Sequence, residues 1–137
     1  MKKLMGMLKV IYENLLMLHH NLLGGNWFGN HEQIADFYEE IQKMSDDVIE
    51  LGISLGYTEP DIKEAIEMYP VIPAGTLINT ETAFKFCYNF FKDLLAEFEL
   101  LKDKVPGDVY SKFEEYMYWL RITAEYKIKH KLYKEEE

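Results

Sequence analysis

A single cysteine, Cys87, stands in the 137 residues, so no disulfide can close within the chain. That usage fits a reducing compartment. Cys87 lies in the aromatic run FKFCYNFF and reads as a core residue rather than a nucleophile. Prolines number only four, and none interrupts a long periodic stretch. No apolar run approaches the roughly 18 residues of a membrane span. The opening MKKLMGMLKV has the charged start of a secretory leader. Lys9, Glu13 and Asn14 break its apolar run, however, and no small-residue cleavage site follows. A cytoplasmic protein without a membrane partner is expected. Excess positive charge is also missing. The net charge of −9 excludes a general attraction to nucleic acid, which needs a Lys/Arg surface. Repeats, low-complexity segments and alternating strand patterns are absent.

Large apolar side chains are plentiful. Hydrophobic residues make up 48% and aromatic residues 15%, with ten Tyr and eight Phe, which excludes disorder. The length suits one domain over residues 1–137, enough to bury roughly 68–70% of the unfolded surface. The aromatics serve a bulky core or an oligomer interface. The acidic surface serves solubility, or it draws in cations.

Apolar residues recur at helical spacing in four long stretches. Leu4, Leu8, Ile11, Leu15, Leu18 and Leu22 predict a first helix over 3–22, ended by Gly24-Gly25. Residues 24–30, GGNWFGN, predict a tight turn with Trp27 and Phe28 plugging the corner. Asn30 is the expected cap of the next helix, with Gln33 completing a capping-box-like pair. Ile34, Phe37, Ile41, Met44, Val48, Leu51 and Leu55 predict a second helix over 31–55. Thr58 is the expected cap of a short helix over 59–68, with Pro60 in its first turn. Pro70, Pro73 and Gly75 mark a crossover over 69–78. A third helix over 80–104 carries Phe84, Cys87, Phe91, Leu94, Phe98 and Leu101. Pro106-Gly107 breaks it. A fourth, over 108–133, turns Tyr110, Phe113, Met117, Leu120, Ala124 and Ile128 inward, with a fraying tail. The predicted fold is all-α: a four-helix bundle with a short extra helix in the link between the second and third long helices. A link that long can cross the bundle, which suits a ferritin-like topology better than a simple up-down one.

The chemistry concentrates in one stretch, His19 to Glu50. It holds three of the four histidines, His19, His20 and His31, and a carboxylate pair, Asp46 and Glu50, four residues apart. Residues so spaced stack on one helix face, and this face lies away from the apolar stripe. It is either an ordinary solvated acidic face or a face that meets a symmetry mate bringing histidines and a metal. Adjacent His19 and His20 point about 100° apart, so one of them at most serves a given site. They favour the helix dipole in any case. ExxH is absent, which argues against a di-iron centre inside one bundle. HExxH is absent too, since His31-Glu32 is followed by Ala35 at the decisive place.

His19, Asn21, Gly24, Trp27-Phe28, His31, Asp46 and Glu50 together resemble the Dps family of mini-ferritins. That family carries H-x-N-x-x-G-x-x-F, a second histidine twelve residues after the first, then D-x-x-x-E. GYTEPDIKEAIEMYP is similar to the family's link into its short helix. The resemblance covers residues 15–72 closely and the two later helices in general outline. It implies an iron site (Fe2+/Fe3+) between subunits, with His19 and His31 on one wall and Asp46 and Glu50 of a twofold-related copy on the other. It further implies a homo-oligomer, a twelve-subunit shell built from twofold dimers, that oxidises Fe(II) and stores or detoxifies the iron.

Three departures accompany the resemblance. Ala35 stands where the family often has an acidic ligand, with Asp36 pointing elsewhere and Glu32 and Glu39 as substitutes. The basic N-terminal tail that some members use on DNA is reduced to Lys2 and Lys3, so DNA binding is expected to be weak or absent. His20 replaces a common Trp. The alternative reading is therefore a Dps-shaped oligomer with a degenerate ferroxidase site, binding a metal, a small molecule or a partner.

Overall fold

The structure is a computed structural model whose described residues are 1–73 and 77–133. Gly75 of the expected crossover and the last four residues of the expected tail lie outside them. The chain divides into two compact units, Met1–Thr80 and Glu81–Glu137.

The first unit is built on α1 (Lys2–His20) and α2 (Trp27–Ser54). Leu4, Leu8, Ile11, Leu15 and Leu18 of α1 are fully buried, and Ile34, Phe37, Ile41, Met44 and Val48 of α2 are buried, so the first expected stripe and most of the second face inward; Leu51 and Leu55, at the end of the second, are only half-buried. The short α3 (Ile62–Met68) packs on α1. The approach is close: a Cβ on Gly6 would stand 3.4 Å from the Ala65 Cα, so the sequence has no side chain there. Asn14 is fully buried and holds the chain after α3. Its Nδ2–H donates to the Pro70 carbonyl and its Oδ1 accepts from the Ile72 N–H, both at 3.1 Å. β1 (Leu22–Leu23) pairs in parallel with β2 (Ile78–Asn79), a two-residue ladder that no sequence pattern announces. Gly24 leaves it at φ +127°, a left-handed conformation that favours glycine.

Two caps differ from expectation. α2 begins at Trp27, four residues early, with Asn26 as its N-cap in the left-handed region. Asn30 is therefore inside the first turn, not before it. It is buried, and its Nδ2–H donates to the Gly25 carbonyl at 3.1 Å. The side chain secures the preceding turn instead of capping. At α3 the cap is Asp61 rather than Thr58. Its carboxylate accepts from the Glu64 N–H at 2.8 Å while Glu64 accepts from the Asp61 N–H at 3.1 Å, a complete capping box. Pro60 thus precedes the cap.

In the second unit α4, which starts at Thr80 and ends at Glu99, stops short of the expected residue 104; residues 100–104 turn instead. Phe84, Cys87, Phe91, Leu94, Phe98 and Leu101 are all buried, as their spacing required. Burial pushes the Cys87 thiol far above its ordinary range, so it stays protonated and inert. The expected fourth helix divides into α5 (Gly107–Arg121), a π-helical segment (Ile122–Ile128) and α6 (Lys129–Leu132). The wider turn buries Thr123 beside Ala124, while Tyr110 is only half-buried. Glu125 sits in the π segment and collects three donors: Lys92 at 2.7 Å, Tyr88 at 2.8 Å and Lys129 at 3.3 Å. Lys92 and Tyr88 hold its carboxyl down at about 2. Among the described residues no helix is long and apolar enough to cross a membrane.

Candidate functional site

The end of α1 and the start of α2 bring His19 and His31 together. Their ring centroids are 3.6 Å apart at 30°. A hairpin of two helices does this because His19 lies in the last turn of one and His31 in the second turn of the next. His19 Nδ1–H donates to the His31 carbonyl at 3.0 Å. With Nδ1 so engaged, the lone pair of His19 is on Nε2, where a cation can take it. Burial holds His19 below the ordinary histidine range. The bond to the His31 carbonyl opposes this, and the His31 and His20 charges add to it. His19 is therefore neutral at pH 7, the form a metal needs.

Aromatic rings surround the pair. Trp27 stacks on His31 with centroids 4.2 Å apart at 23°. Tyr38 stands edge-on to His19 at 5.2 Å, and Tyr12 edge-on to Tyr38 at 6.0 Å. The sequence reading missed both tyrosines. Their signal was available, since Tyr12 and Tyr38 lie two turns from His19 and His31 on the same helix faces. The corner is not plugged as expected: Phe28 is 82% exposed. His20 is exposed and meets His19 only edge-on at 5.6 Å. Ala35 is partly buried, whereas Glu32, Asp36 and Glu39 are exposed.

Asp46 and Glu50 are exposed on α2, and Val48 between them is buried, as their spacing required. Asp46 borders a surface recess of about 310 Å³, together with Lys9, Tyr12, Glu13, Ile49 and Glu59. Lys9 is engaged there by Glu59 at 2.6 Å and by the Pro60 carbonyl at 2.8 Å. Asp46 lies fifteen residue steps along continuous helix from His31, roughly 22 Å at about 1.5 Å per step. The two halves of the expected ligand set cannot meet within one chain. Among the described residues no three of His, Cys, Asp and Glu gather as a ligand set.

No family model matches the chain. Over 75 residues, 53% of the chain, it is 33% identical to DNA protection during starvation protein 2 of Deinococcus radiodurans. That stretch spans 31% of the relative's length. Two solved structures share the fold. Dps from Staphylococcus aureus superposes with a TM-score of 0.86 at 19% identity, covering 98% of this chain and 93% of that one. CAIP of Helicobacter cinaedi superposes with a TM-score of 0.73 at 17% identity, covering 96% of each. The fold is therefore the ferritin-like four-helix bundle, with the short α3 in its long link. The chain is thus similar to Dps proteins in sequence over the matched stretch and in fold.

Proposed function

We propose that this chain is an iron-handling mini-ferritin that binds and oxidises Fe(II) between two copies of itself. His19 and His31 of one copy and Asp46 and Glu50 of the other form the ligand set. Two imidazoles and two carboxylates suit iron, a borderline cation as Fe(II) and a hard one as Fe(III). The carboxylates favour the more highly charged Fe(III), which makes loss of an electron to peroxide or oxygen easier. The cytoplasmic homo-oligomer, a twelve-subunit shell built from twofold dimers, would store the ferric product, with the whole chain acting as one ferritin-like domain.

One observation carries this reading. The histidine ring centroids are 3.6 Å apart on one end of the hairpin, while Asp46 and Glu50 lie roughly 22 and 28 Å along α2 from His31. Each chain holds two half-sites that only a second, antiparallel copy can complete. A specific residue favours the alternative of a degenerate site: Ala35 offers no ligand one turn after His31, where a second cation would be held.

Anaerobic Fe(II) followed by hydrogen peroxide tests the proposal through ferric absorbance. His31→Ala and Glu50→Ala are each expected to slow its appearance at least about tenfold. If both variants keep the wild-type rate, the ferroxidase reading is dropped.

A further inference from the structure

We propose that Trp27 is a positioning residue for His31 and thereby sets cation affinity at the histidine half-site. The inference rests on the reading of that half-site as a metal site. The indole is fixed at both ends. Its face lies on the His31 imidazole, 4.2 Å between centroids, and its Nε1–H donates to the Leu22 carbonyl at 2.8 Å. Leu22 is held in turn by the two-residue ladder, where it pairs with Ile78, and the Ile78 N–H donates to the Asn21 carbonyl at 2.8 Å. Trp27 thus ties the orientation of His31 to the chain segment that enters α4.

His31 lies between two rings, with Trp27 on one face and His19 on the other. An imidazole binds a cation through an in-plane lone pair. Covering both faces leaves that lone pair open while restricting rotation of the ring. A ligand already held in its bound orientation loses less freedom when the cation arrives. Simple burial does not explain the indole, which remains 36% exposed beside the more exposed Phe28. A residue present only to fill the corner would be covered.

The test uses the full chain and Co(II) alone, titrated calorimetrically without oxidant. Trp27→Ala removes face and anchor. Trp27→Phe keeps an aromatic face and loses the N–H. Trp27→Ala is expected to bind Co(II) about tenfold more weakly, at unchanged helicity and oligomeric state, and Trp27→Phe to recover most of the loss. The His31 ring protons should be shifted upfield in the wild type and lose that shift in Trp27→Ala. Wild-type affinity in Trp27→Ala, or equal loss in both variants, overturns the positioning role while leaving the metal site standing. Failure of the wild type to bind Co(II) overturns the metal site itself, and the positioning role with it.

Discussion

Complementation between two crippled chains distinguishes a shared site from a private one. One variant carries His19→Ala with His31→Ala, the other Asp46→Ala with Glu50→Ala. Each is expected to be inactive alone. Unfolded together and refolded at equal concentration, they should pair at random, so about half of the dimers are mixed in an isologous assembly. A mixed dimer has one site lacking all four ligands and one with all four, so about a quarter of all sites return. The arithmetic follows from the roughly 22 Å between the half-sites on α2, which leaves neither chain able to repair itself. Initial ferric absorbance after peroxide reads the recovery, against wild type refolded in parallel. No recovery from a mixture whose chains fold and assemble normally would refute the shared site. Substantial activity in either variant alone would refute the ligand set.

Three further outcomes are expected. Asn14→Leu removes two hydrogen bonds and strands the buried Ile72 N–H, costing about 3 kcal/mol and lowering Tm by roughly 10 °C; a drop of less than about 3 °C would contradict the clamp. Glu125 titrates at about 2 in the fold against an ordinary 4.5, so its stabilisation is complete above pH 4.5 and fades as the pH falls toward 2. Its side chain is 30% exposed, so solvent screening limits the effect to about 1 kcal/mol, and urea melts of Glu125→Gln should lie below wild type at pH 7 and converge with it in acid. His19 is held below 6.5, so unfolded chains take up its proton first. Stability from this group is full above pH 6.5 and declines as the pH falls from there toward the folded value, and an NMR midpoint for His19 at or above 6.5 would contradict its burial.

Much of the helical pattern is legible without coordinates because burial follows a period of 3.6. The stripes from Leu4 to Leu18 and from Phe84 to Leu101 are buried residue for residue. Helix ends were less legible. Asn30 carries the chemistry of a cap and serves a different turn, and Thr58 yields to Asp61 because only Asp61 has Glu64 three residues on. Nothing local marks the π segment, which contains neither proline nor glycine. The Leu22–Ile78 ladder joins residues 56 positions apart, beyond the reach of any pattern read within a window.

The candidate site divides the same way. By itself the sequence determined which residues can ligate, and that Asp46 and Glu50 share a face away from the apolar stripe, since helical spacing alone settles who stands beside whom on one helix. Tertiary structure decided that His19 and His31 stack, that Trp27 and Tyr38 flank them, and that one unbroken helix holds the acids roughly 22 Å or more from His31. Those relations depend on how a hairpin closes and where a returning strand anchors it, and contacts between elements carry no local periodicity.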